Sequence, residues 1–213
     1  REAPVQRRPD SHRSMTESPK TPYVFAAVLA LAVLGVYLPG LNNGLVFDYL
    51  RLGDGTIFGE YGSLLRFKQR MLSYGSFVWV HDLLGDGWWK QRLVNVTVHL
   101  GVVAALYALL KALFVPTRFP EDIEDQAHFA ASRLAALRVA VGLFALNPVA
   151  VYAVGYLIQR SILMATLFAL LACWAWVRAL QTRRPAWSGY ALLCYVLAVL
   201  SKEHAIMTAA IAV

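Results

Sequence analysis

The stretch LVNVTVHLGVVAALYALLKALFV, Leu93 to Val115, carries Asn95, Thr97 and His99 at its start and Lys111 near its end, and is otherwise apolar. Crossing a bilayer as a helix takes roughly 20 mostly apolar residues, so this run is long enough to span. Comparable runs lie at Tyr23 to Pro39, Val139 to Ile158, Ser161 to Val177 and Ser188 to Leu200, and another opens after Ser201-Lys202-Glu203-His204. The spacing predicts an all-α integral membrane protein, a helical bundle with about five spans and part of a sixth.

Composition agrees. Of the 213 residues, 58% are hydrophobic and 15% charged, and the mean hydropathy is +0.51. Soluble domains carry about 25% charged residues, so a soluble fold could not hide this apolar surface. The net charge of +7 does not point to nucleic acid, because the basic residues sit in small clusters beside apolar runs. That is the pattern of membrane orientation. Cys173 and Cys194 lie in separate apolar runs and read as small packing residues. No spacing of metal ligands or of a phosphate-binding loop occurs. The start at Arg1, with Met15 as a natural start, and the end inside an apolar run point to a fragment of a longer chain.

Residues 1 to 22 are rich in Arg, Pro and Ser and read as a disordered basic tail. Residues 41 to 92 form a long polar loop with turns at Gly53-Asp54-Gly55 and Gly85-Asp86-Gly87. Between the turns, Leu64, Phe67, Met71, Leu72, Val78 and Trp79 recur at helical spacing, which predicts a helix lying on the membrane surface. Arg178 to Trp187 reads as a tight basic loop. Asn147-Pro148 breaks the third run, where proline's missing amide frees a carbonyl.

Lys and Arg counts set the orientation. Arg7, Arg8, Arg13 and Lys20, then Lys111, Arg118, Arg133 and Arg138, then Arg178, Arg183 and Arg184, place the amino terminus and two connections in the cytoplasm. The opposite face receives the long loop, the Gln159-Arg160 turn and the Lys202-Glu203 turn. Asp48 presents a carboxylate there, and reads by composition alone as a solvated loop acid. Arg160 and Lys202, each at a membrane boundary, could merely snorkel, but with Asp48 on the same face they suit a pocket for a lipid phosphate. Asn95 and His99 lie one turn apart and share a face, as interhelical glue or as site residues. Glu203 beside Lys202 reads equally as a surface ion pair.

The series Val46-Phe47-Asp48, Leu93-Val94-Asn95 with His99, Asn147-Pro148 followed by Ala153-Val154 and Gln159-Arg160-Ser161, and Leu200-Ser201-Lys202-Glu203-His204-Ala205 resembles the amino-terminal membrane half of the GT-C O-mannosyltransferases. It is most similar to bacterial relatives of the transmembrane and tetratricopeptide-repeat-containing family, over roughly residues 23 to 213. The resemblance implies an inner-membrane glycosyltransferase that moves a mannose-like sugar from a polyprenyl-phosphate donor to a hydroxyl of a secreted protein, with no cofactor and no metal. It implies that Asp48 is the general base and that Arg160 and Lys202 bind the donor phosphate; Asn95, His99, Gln159 and Glu203 are supporting polar candidates beside them. This chain departs from the family at Tyr49, where a second acid is usual, and at Asn147, Val151 and Tyr152, where His and Thr-Glu are usual. The tetratricopeptide repeats are absent. These departures admit a second expectation, a non-catalytic scaffold with a partner membrane subunit.

Overall fold

The computed structural model describes residues 21–44, 50–62, 68–115 and 126–211. The basic tail falls almost wholly outside the described residues, and Asp48, Tyr49, Leu64, Phe67 and the acidic stretch 121–125 fall outside them entirely. Among the described residues all regular structure is helical.

Helix α1 (Thr21–Tyr37) ends in a 3-10 turn, Leu38–Gly40, that contains Pro39. Two short helices, α2 (Leu50–Gly53) and α3 (Thr56–Tyr61), precede α4 (Met71–Leu84). Then come α5 (Trp88–Phe114), α6 (Gln126–Ala145), α7 (Ala150–Val154) and a 3-10 turn at Leu157–Gln159. Helices α8 (Arg160–Thr182) and α9 (Pro185–Ser201) follow, then a 3-10 turn at Glu203–Met207 and α10 (Thr208–Ile211).

Among the described residues, three segments are long and apolar enough to cross a membrane: Thr21–Gly40, Trp88–Phe114 and Leu157–Thr182, of 20, 27 and 26 residues. The apolar α9 is shorter, with 17 residues. The expected third span is divided at Asn147-Pro148 into α6 and α7, and α6 begins well before Val139, in a polar stretch. Outward faces are apolar, with Val24, Val28 and Leu31 on α1, Val139 and Leu143 on α6, and Leu192 and Leu193 on α9 exposed. Such a surface is compatible with a membrane.

Packing follows residue size. The most extensive contact joins α8 and α9. Ala165, Ala172, Ala175 and Ala179 of α8 and Ala191, Cys194 and Ala198 of α9 are buried, each set at spacings of three, four or seven that keep one face. Small side chains let helix backbones approach closely, which is how membrane helices gain van der Waals contact. A larger core joins Val33 of α1, Val96 and Val103 of α5, Leu137 and Val141 of α6, Val154 of α7 and Leu163 of α8.

Two expectations about the connections are corrected. Ser73 to Val78 of α4 are all buried, so this helix does not rest on the outside with one face free. It is wedged against α3, α5, α8 and α9. The small residues Ser73, Gly75 and Ser76, which suit a polar outer face, instead make room for close neighbours. The basic loop Arg178 to Trp187 is also much shorter than its composition implies. Helix α8 runs to Thr182 and α9 starts at Pro185, a residue suited to a helix's first turn. Arg178 stacks over the Trp187 ring at 5.9 Å, and Gln181 donates to the Ala112 carbonyl at 2.7 Å, so polar side chains are used along helix faces.

The glycine turn between α4 and α5 is as expected. Gly85 and Gly87 have φ of 74° and 131°, conformations open to glycine and costly for other residues.

Candidate functional site

Helix α8 begins at Arg160, which is completely buried. Its Nε donates to Asn95 Oδ1 at 2.7 Å and its Nη1 to Ser76 Oγ at 3.2 Å. Its Nη2 donates to the Gln91 carbonyl at 2.7 Å and to Gln91 Oε1 at 2.8 Å. The guanidinium carbon lies 3.9 Å from the Phe77 ring centroid. Among the described residues no carboxylate meets this cation. Its charge is distributed over neutral oxygens of α4 and α5 and an aromatic face, an arrangement that the planar, five-donor guanidinium meets all at once.

The break at Asn147-Pro148 is satisfied from α5. Asn147 Oδ1 accepts from the Val149 amide at 2.9 Å, the amide that an unbroken helix would offer to the Ala145 carbonyl. That carbonyl instead accepts from His99 Nε2 at 3.0 Å. One turn earlier on α5, Asn95 donates from Nδ2 to the Val154 carbonyl at 3.1 Å while its oxygen receives Arg160. Asn95 and His99 therefore do share a face, and together they hold the broken helix. Gln159 points elsewhere and donates to the Tyr152 hydroxyl at 2.7 Å.

A second polar chain runs from α4 to α9. Ser76 Oγ donates to the Ser73 carbonyl at 2.6 Å, and Ser73 Oγ donates to the Ser201 carbonyl at 2.8 Å. Arg70 forks onto both carboxylate oxygens of Glu203, with Nε at 2.9 Å from Oε2, and also donates to the Tyr74 hydroxyl at 3.1 Å. This hydrogen bonding holds the Glu203 carboxyl at about 2. The glutamate is thus paired with Arg70, 133 positions away in sequence, not with adjacent Lys202. Burial first, and Arg70 second, push the Lys202 ammonium below the usual lysine range. Lys202 lines a cavity of about 430 Å³ with Ile162, Thr166 and His204.

Arg160 and Lys202 do not form the common pocket expected of them. Arg160 is enclosed between α4, α5 and α8, whereas Lys202 faces the cavity between α8 and the turn after α9. Sequence spacing brings both to one end of the bundle but cannot say which way each side chain turns.

Two other cavities flank the start of α5, where consecutive residues face opposite sides. Arg92 lines a cavity of about 620 Å³ with Val36, Tyr37, Val96, Val151 and Tyr152. Gln91 lines a cleft of about 750 Å³ with residues of α2, α3 and α4. Arg92, 4% exposed, donates to the Leu41 and Gly44 carbonyls at 2.8 and 3.0 Å. Among the described residues it meets no carboxylate. Asp48 itself is outside the described residues, but Gly44 before it lines the first cavity, and Leu52 and Gly53 after it line the second. Arg92, Arg70, Ser73 and Ser76 were not legible as site residues. A lone arginine just before an apolar run reads as a boundary residue, and serines in a polar loop carry no signal.

No protein-family profile, curated protein or solved structure matches this chain. The site's chemistry therefore rests on its own geometry.

Proposed function

We propose that this chain is the membrane-embedded part of a bacterial GT-C-type glycosyltransferase, amino terminus in the cytoplasm, that transfers a mannose-like sugar from a polyprenyl phosphate to a hydroxyl of a secreted protein. The observation that carries this reading is the cavity lined by Arg92. An apolar wall built from α1, α5 and α7 suits an isoprenoid chain, and a buried guanidinium that meets backbone carbonyls and no carboxylate among the described residues suits its phosphate. In this reading Asp48 takes the proton from the acceptor hydroxyl as its oxygen bonds to the sugar's anomeric carbon. The bond from that carbon to the phosphate oxygen breaks, its electron pair leaves with the phosphate, and nearby cations stabilise the charge that develops. Lys202, which the resemblance places on the donor phosphate, lines a different cavity in this fold and takes no part in this step. Arg160 becomes the residue that fixes α8 against α4 and α5.

One observation favours the second reading, a scaffold derived from the same fold. Arg160, a cation the family resemblance assigns to phosphate, directs four hydrogen bonds into the protein and is wholly enclosed.

Titration of purified protein in detergent with a polyprenyl-phosphate analogue, followed by transfer of a labelled sugar to a serine- and threonine-containing peptide, separates the two readings. Loss of a charge-assisted bond worth about 1.5–3 kcal/mol weakens binding by one to two decades, the result expected for Arg92→Gln and not for Lys202→Gln. Tight lipid binding without sugar transfer would favour the scaffold. Unchanged affinity in Arg92→Gln would remove the lipid-phosphate reading.

A further inference from the structure

The cleft on the other side of α5 has a different chemistry. Its volume of about 750 Å³ falls within the range of about 300–1,000 Å³ usual for small-molecule sites. Its polar side chains converge at the mouth. His81 Nδ1 lies 3.0 Å from Asp86 Oδ1, and the Asp86 side chain is 94% exposed, so its carboxylate remains open to a ligand. Asp82 lies one residue beyond His81 on α4 and lines the same cleft. Phe58 packs edge-on against the His81 ring, with centroids 5.2 Å apart, and Trp88 adds a second aromatic wall. Backbone at Gly53, Gly55 and Gly85 completes the lining without side chains, and the space a Cβ at Gly55 would enter is open.

The charges decide what class of ligand fits. Two carboxylates would suit a cation, but Lys90 reaches to within 3.6 Å of the Cβ position at Gly85 and donates to the Leu84 carbonyl. Lys90 thereby sets a positive charge beside these carboxylates. Among the described residues no group of three His, Cys, Asp or Glu could hold a metal ion. Acceptor oxygens of Asp82 and Asp86, with aromatic faces around a roomy cleft, match a ligand with many hydroxyl groups and an apolar ring face.

We propose that this cleft is a carbohydrate-binding site that takes a neutral glycoside, its hydroxyls donating to Asp82 and Asp86 and its ring lying against Phe58 and Trp88. The site goes beyond the transferase reading and is independent of which lipid occupies the cavity beside Arg92.

The test is ligand-observed saturation-transfer NMR on the full chain in detergent. The probes are methyl α-mannopyranoside, methyl β-glucopyranoside and methyl N-acetyl-β-glucosaminide, with a lysine-containing peptide as the cationic comparison. At least one glycoside should give a saturable signal. Asp86→Asn should weaken it about tenfold, the change that about 1.4 kcal/mol produces. Because Asp86 is almost fully exposed and bonded only to His81 among the described residues, this variant keeps the fold, and Lys202→Gln should leave glycoside affinity unchanged. Absence of saturation with all three glycosides, saturation by the peptide alone, or unchanged affinity in the Asp82→Asn/Asp86→Asn double variant would overturn the proposal. Lipid titration on the same samples reports separately on the Arg92 cavity.

Discussion

Arg160 and Asn95, 65 positions apart, meet at 2.7 Å with no carboxylate in reach among the described residues, and Asn95 passes the contact on to the Val154 carbonyl of the broken helix. One side chain thereby ties α8 to α5, and through Asn95 to α7. Replacement by Met would remove a buried charge but leave Asn95 Oδ1 and Gln91 Oε1 without this donor, and an orphaned buried acceptor costs about 1–3 kcal/mol. Arg160→Met should therefore lower stability by at least about 2 kcal/mol on that scale, and Arg160→Lys should also fall below the original, since an ammonium cannot reproduce the planar fork. Thermal unfolding in detergent checks this. An unchanged midpoint in Arg160→Met would show that the network does not hold the bundle together.

The Arg70–Glu203 pair predicts acid sensitivity. Glu203 is held at about 2 by its hydrogen bonds with Arg70, below the ordinary glutamate value of about 4.3. A depressed carboxylate stabilises the fold fully above its unfolded pKa and loses that contribution as pH falls toward the folded one. The loss should therefore develop between about pH 4.5 and about pH 2. Both side chains are about a third exposed, so solvent screens the pair and the effect is modest. Glu203→Gln should begin less stable at neutral pH and decline less steeply in acid. Parallel declines would assign the acid loss to other carboxylates.

On the proposed transferase reading, Asp48→Asn should abolish sugar transfer while leaving membrane insertion intact, because an amide cannot take the acceptor proton. Labelled-sugar transfer in membranes gives the readout. Undiminished transfer by the variant would exclude Asp48 as the base and favour the scaffold.

Orientation can be read with single cysteines in a background where Cys173 and Cys194 are replaced. Leu83 at the end of α4 and Arg184 between α8 and α9 are both exposed. If charge bias sets topology, Leu83→Cys should react with an impermeant thiol reagent applied to intact cells and Arg184→Cys should react only after lysis. Labelling of Arg184→Cys in intact cells would reverse the arrangement.

The helical class, the extent of α1, the end of α5 and the start of α8 to within two residues, the glycine turn before α5 and the break at Asn147-Pro148 could all be read along the chain. Each depends on neighbours within one or two turns: runs of apolar residues, a missing amide, a positive φ. The same local periodicity placed Asn95 and His99 on one face, and that held, because a helix fixes which residues share a face. What that face meets was beyond its reach. His99 bonds the carbonyl left by the break, Arg160 is consumed by Gln91 and Ser76, and Glu203 turns to Arg70. These pairings join residues 46 to 133 positions apart. They depend on how helices cross and which rotamers packing leaves open, quantities that no spacing along the chain encodes. The sequence by itself determined a helical chain with its basic and acidic groups at the ends of apolar runs. Only the tertiary structure decided that the arginine starting α8 is enclosed while Arg92 and Lys202 line cavities, because burial and direction of a side chain are properties of the neighbours assembled around it.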